Sequence, residues 1–99
     1  MKFYHATTTE NMEKIAETGI IKKSWDGVVY LCTDPIDACK FLVLRGLRKM
    51  CVIETELNEA DVEESFDHSQ AFFKCRAYMH KGDIRFMGTE KVEEFAFDI

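Results

Sequence analysis

The chain opens on an alternation of apolar and polar positions, Phe3-Tyr4-His5-Ala6, and then meets a run of three threonines. The alternation predicts a short first strand, and Thr7-Thr8-Thr9-Glu10 predicts a helix start. Thr7 with Glu10 three residues on has the form of a capping box, the hydroxyl accepting from one orphan amide while the carboxylate reaches back to another. The helix that follows carries Met12, Ile15 and Ala16 on one face with Glu13, Lys14 and Glu17 opposite, and Gly19 is placed as its left-handed stop. Ile20-Ile21 returns the chain to the core, and Lys22 to Gly27 is a polar loop ending in an Asp-Gly turn.

Val28 to Cys32 is a short apolar run, β-branched at its start, and reads as a strand. It leads straight into Asp34-Pro35, a good N-cap followed by the residue best tolerated at the first helical position. The second helix, with Ile36, Cys39, Leu42 and Val43 inward, runs to about Gly46. Met50 to Leu57 then alternates as a strand, and Asn58-Glu59-Ala60-Asp61 starts a single acidic turn of helix. Ser65 to Ser69 is the least patterned stretch and reads as a loop. Ala71 to Met79 is an apolar run of β-formers, Gly82-Asp83 marks a turn, and Val92, Phe95 and Phe97 alternate in a closing strand over 91–97. With no internal repeat, linker or low-complexity segment, residues 1–99 form one α+β domain with two short helices in the N-terminal half and strands concentrated late.

Composition narrows the function more than the fold. An apolar share of 46% and a charged share of 31% are those of a globular chain. A net charge of −5 argues against an extended nucleic-acid footprint, which needs a basic face. The basic concentrations are Arg45, Arg48 and Lys49, and Lys22-Lys23; each is large enough for a single phosphate group, or is simply a solvated surface. Cys32, Cys39, Cys51 and Cys75 contain no CxxC pair, and His5, His68 and His80 have no ligand spacing, so no metal site is expected. Reduced thiols in apolar runs behave as small hydrophobes, and no stretch is long enough to cross a bilayer. Both point to a reducing, cytoplasmic setting.

Two strand ends carry the chemistry. His5-Ala6-Thr7 and Val29-Tyr30-Leu31 each run into a helix start, which sets an imidazole and a phenol beside helix N-termini suited to an anion. Such a pair fits a ligand with a hydroxylated sugar, a flat ring and a phosphate. The ordered set Tyr4-His5-Ala6-Thr7, Thr18-Gly19-Ile20 and Gly27-Val28-Val29-Tyr30 resembles the ADP-ribosyltransferase superfamily, in the branch of the poly(ADP-ribose) polymerases and the RNA 2'-phosphotransferases.

The resemblance implies a split antiparallel β-sheet core and a small protein that binds NAD or ADP-ribose. It gives His5 a ribose hydroxyl of NAD, places Ala6 and Thr7 beside that ribose, and stacks Tyr30 on the nicotinamide. It further implies transfer of ADP-ribose to a protein or nucleic-acid acceptor, with a carboxylate stabilising the oxocarbenium-like centre. The strand that supplies this carboxylate in the superfamily here has Ala77 at the expected position. The nearest acids are Asp67, Asp83, and Glu93 or Glu94 on the last strand; being adjacent, Glu93 and Glu94 point to opposite faces, so one of them at most enters a site.

Ala77 keeps a second reading open, a catalytically silent binder of ADP-ribose, NAD, a related nucleotide or a modified nucleic-acid end. A third is a protein-interaction module presenting the acidic segment Glu54 to Glu64. A cysteine nucleophile, Cys75 with His80 or His68, or Cys32 beside Tyr30, is the weakest.

Overall fold

The period-two pattern at the N-terminus does form a strand, and the computed structural model, which describes residues 1–65 and 77–98, places it inside a sheet rather than at its edge. The elements run β1 (Lys2–Thr7), α1 (Thr9–Thr18), β2 (Ile20–Ile21), β3 (Val28–Cys32), α2 (Pro35–Leu44), β4 (Lys49–Glu56), a 3-10 turn (Glu59–Asp61), β5 (Val62–Glu64), β6 (Ala77–Lys81), β7 (Ile84–Arg85) and β8 (Val92–Ala96). Six of the strands form one antiparallel sheet in the order β5-β6-β3-β1-β4-β8, and β2 pairs with β7 apart from it. The fold is therefore α+β with two helices, as the pattern predicts. The strands are not gathered late, however, because β1 and β3 lie within the sheet and β1 pairs along its whole length with β4, Lys2 opposite Glu56 through Thr7 opposite Cys51.

That long pairing corrects the first helix start. Thr7 stays in the strand, buried and opposite Cys51, so it does not cap the helix. Thr8 does, its hydroxyl accepting from the Asn11 amide at 3.1 Å. At the other end Gly19 adopts φ 72°, donating its amide to the Ile15 carbonyl at 2.8 Å, the left-handed stop expected of it. A methyl there would meet both that backbone penalty and the Phe86 carbonyl at 3.4 Å. Asp34 caps α2 as expected, accepting from the Ile36 and Asp37 amides, with Pro35 first in the helix. Asn58 likewise caps the acidic turn.

The sheet buries both faces. On one, α1 packs Ile15 with Phe3, Val29, Leu31 and Ile53, and β2 and β7 add Ile21 and Ile84. On the other, α2 packs Cys39 and Leu42 with Met50 and Val52, flanked by Tyr4, Ala6, Phe95 and Phe97. A strand between two such layers is apolar on both sides, which is why Met50 to Ile53 are buried without a break. Two inward assignments differ. Ala16 is exposed, and Ile36 is 45% exposed while Ala38 takes its place against the sheet.

Candidate functional site

β1 and β3 share a single register pair, Tyr4 opposite Cys32. Beyond it β1 continues along β4 and β3 along β6, so the ladder between them ceases where His5 begins. The His5 ring fills that interruption. Its Nδ1 lies 2.9 Å from the Tyr30 carbonyl oxygen. A carbonyl only accepts, so Nδ1 carries the proton and Nε2 is left as an acceptor. Desolvation lowers the His5 pKa, and the bond to Tyr30, which acts in the opposite sense, does not offset it. The imidazole is therefore neutral at pH 7.

An open groove of about 870 Å³ lies at this place, within the size range of small-molecule sites. His5, Ala6, Thr7 and Tyr30, the four residues singled out for nucleotide binding, all line it. The phenol and imidazole do not face each other across a simple ledge, because strand alternation puts Tyr30 with Tyr4 and Cys32, and His5 with Phe3. They are joined through the Tyr30 backbone instead. The Tyr30 hydroxyl is itself tied, donating to the Asp26 carboxylate in the loop before β3.

The helices supply the walls. On α1, Asn11, Lys14, Ile15 and Thr18 recur at helical spacing and all reach the groove; on α2, Ala38, Phe41, Leu42 and Arg45 do the same. Phe41 is 45% exposed, with the Arg45 guanidinium 6.0 Å from its ring centroid. Neither Phe41 nor Lys14 was singled out in the sequence. The readable signals were a large apolar residue just off the inward stripe of α2, and a polar stripe at i, i+3 and i+7 on α1.

Charge in the groove runs against that of the chain. Lys14, Lys22, Lys23 and Arg45 line it, against Asp37 and Asp83. Both carboxylates are engaged, Asp37 with Lys40 at 2.6 Å and Asp83 with the Lys23 amide at 2.7 Å and its ammonium at 3.8 Å. Lys14, Lys22 and Arg45 have no carboxylate partner among the described residues. The basic positions at Lys22-Lys23 and Arg45 are thus drawn together from distant parts of the sequence.

Other candidates fall elsewhere. Glu93 and Glu94 lie on β8, opposite Val52 and Cys51, with β1 and β4 between them and β3; both are exposed, and Glu93 pairs with Lys91 at 2.8 Å. The structure does not bring either to His5 and Tyr30. Ala77 does line the groove, buried opposite Cys32. Asp67, His68, Cys75 and the part of the expected 71–79 strand before Ala77 lie outside the described residues.

Cys32 is half-buried at the groove, while Cys39 and Cys51 sit in the core. Burial, with the Asp34 charge adding to it, pushes the Cys39 thiol up to about 11, so this thiol is not a nucleophile at neutral pH. In the acidic segment, Glu54 accepts from the Tyr4 hydroxyl, Glu56 pairs with the N-terminal ammonium and Glu63 pairs with Lys81. Those carboxylates are turned to neighbours in the fold. No helix among the described residues is long and apolar enough to cross a membrane. No family model, curated protein or solved structure matches this chain.

Proposed function

We propose that the groove binds NAD or ADP-ribose and that the chain is a small ADP-ribosyltransferase-like protein. The observation that carries this reading is the meeting of His5 and Tyr30 in one cation-lined groove. The neutral imidazole offers an acceptor to a ribose hydroxyl, Tyr30 and the exposed Phe41 offer flat faces to a ring, and Arg45, Lys14 and Lys22 offer charge to a pyrophosphate. If the ligand reacts, pinning the ribose and ring lets nicotinamide leave as a neutral group and exposes the anomeric carbon to a nucleophile. Of the acids considered in the sequence, Asp83 is the one that lines the groove and is described. Binding without transfer is the second reading, and Ala77 favours it: a methyl stands where the resemblance asks for a carboxylate.

Thermal unfolding with NAD and ADP-ribose tests both. Ligand at one hundred times its Kd stabilises by about 2.7 kcal/mol, and His5→Ala, Tyr30→Ala and Phe41→Ala are each expected to remove most of that. Release of nicotinamide from NAD, lost in Asp83→Asn, supports an enzyme, and label carried from NAD onto the protein or an acceptor distinguishes transfer from hydrolysis; stabilisation without release supports the silent binder. Absence of any stabilisation by either ligand refutes the proposal.

A further inference from the structure

We propose that α2 is a pairing surface on which two copies of this chain meet about a two-fold axis, their helices antiparallel. This pairing does not depend on which ligand the groove takes.

α2 has no polar side. Its ten residues include two charges, Asp37 and Lys40, and these bond to each other at 2.6 Å. Ala38, Cys39 and Leu42 are buried against the sheet, yet the opposite side is apolar as well, with Ile36 and Phe41 each 45% exposed and Leu44 67% exposed. A helix that packs by one side alone carries polar residues on the other, as α1 does with its exposed Glu10, Glu13 and Glu17. A helix that is apolar all round is one that is covered all round. The side of α2 turned from the sheet is therefore built to be covered.

The charges along it select a second copy. Asp37, Phe41 and Arg45 recur at intervals of four, so they stand in one row, and each borders the groove. Arg45 carries the row past the helix end as its cap, at φ −81° and ψ 4°, with its guanidinium 6.0 Å from the Phe41 ring centroid. Acid, ring and base in that order are their own complement. A second copy laid antiparallel about an axis at Phe41 sets ring on ring and each Asp37 opposite the Arg45 of the other copy. Both charges can take such a partner: Arg45 has no carboxylate partner among the described residues, and Asp37, which holds Lys40 through Oδ1, has a second oxygen to accept with. A contact with an unrelated protein needs no such symmetry, whereas an isologous contact does. The exposed parts of Ile36, Phe41 and Leu44 come to roughly 300 Å² against ~800 Å² per partner in a standard interface, so the pairing is weak and reversible.

Sedimentation velocity of the full chain without ligand, from about 1 μM to about 1 mM, is expected to show a monomer–dimer equilibrium. Phe41→Ala should raise the dimer dissociation constant about tenfold or more. Leu44→Gln, at an exposed position outside the core, should raise it too. Asp37→Arg sets two cations opposite each other at both ends of the row, and Arg45→Asp sets two anions, so each variant alone should stay monomeric. Mixed in equal amounts, the two should pair with one another, because every end then joins an acid to a base. Unchanged melting temperatures confirm that the variants are folded. A dimer that both charge variants still form overturns the proposal, as does a mixture that does not pair. A natural chain that stays monomeric at about 1 mM overturns it as well, and co-sedimentation with phospholipid vesicles would then give the face to a lipid surface. If the copies pair as described but NAD fails to stabilise the protein, the pairing stands and the ligand reading alone falls.

Discussion

Replacing His5 by Asn and by Ala separates the two things its ring does. An asparagine amide can put an N–H donor near the place of Nδ1 and so keep the bond to the Tyr30 carbonyl, but it does not titrate. At pH 7.5 His5→Asn is expected to stay within about 0.5 kcal/mol of the natural chain, whereas His5→Ala loses a hydrogen bond worth about 1 kcal/mol. For a domain of this size that is a fall of roughly 4–8 °C in Tm.

Acid distinguishes them further. Desolvation lowers the folded-state pKa of His5, so between about pH 6.5 and that lower value the unfolded chain takes up a proton that the folded chain refuses. The stability present above the unfolded pKa is therefore lost as pH falls through this window, at up to about 1.4 kcal/mol per pH unit. His5→Asn lacks this slope. Urea unfolding of the natural chain and His5→Asn at half-unit steps from pH 7.5 to 5 measures it, and carboxylates common to both cancel in the difference. Parallel curves would refute the claim that the imidazole is held neutral by burial in the interrupted ladder.

The remaining predictions concern the frame that holds the groove. Thr8→Ala should cost about 1 kcal/mol through loss of the α1 cap while Thr8→Asp is neutral; equal urea midpoints for all three chains would contradict the cap assignment. Ile53, fully buried against Phe3, Val29 and Leu31, should lose 2–5 kcal/mol or so on Ile53→Ala, and a midpoint change equivalent to less than about 1 kcal/mol would mean the face repacks. Glu90 accepts from the Met87 and Thr89 amides, and although burial raises its pKa, these and neighbouring backbone bonds hold the carboxyl below its usual range. Its contribution is present above the unfolded carboxylate pKa and lost as pH falls through the folded value. Glu90→Gln should cost about 1 kcal/mol at pH 7 and flatten the acid limb of a pH-unfolding profile; an unchanged acid limb would show that the turn does not depend on the charge.

Local physics made much of this fold legible in advance. Gly19 at φ 72°, Asp34-Pro35 at the start of α2 and Asn58 at the acidic turn each act through atoms within a few residues, so their roles could be read from sequence. The strand patterns of β1 and β3, an alternation and a short apolar run, were legible for the same reason, whereas β4, read as an alternation, is buried on both faces from Met50 to Ile53. Which threonine capped α1 was not, because Cys51, distant in sequence, decides that Thr7 remains paired in the strand. Nor could Ala16 and Ile36 be told from inward positions, since a helix's apolar stripe shows a direction and not how far each turn stands from the sheet.

The site divides in the same way. His5, Thr7 and Tyr30 announced themselves by residue type at strand ends, and they do line one groove. Only the tertiary structure decided how they meet: one register pair between β1 and β3, then an imidazole bonded to a backbone carbonyl. The tertiary structure also gathered Lys14, Lys22 and Arg45 around that groove in a chain of net negative charge, and left Glu93 and Glu94 on a distant edge strand. Sequence spacing determines helix faces and strand alternation, while sheet order, set by non-local pairing, determines which faces share a cleft.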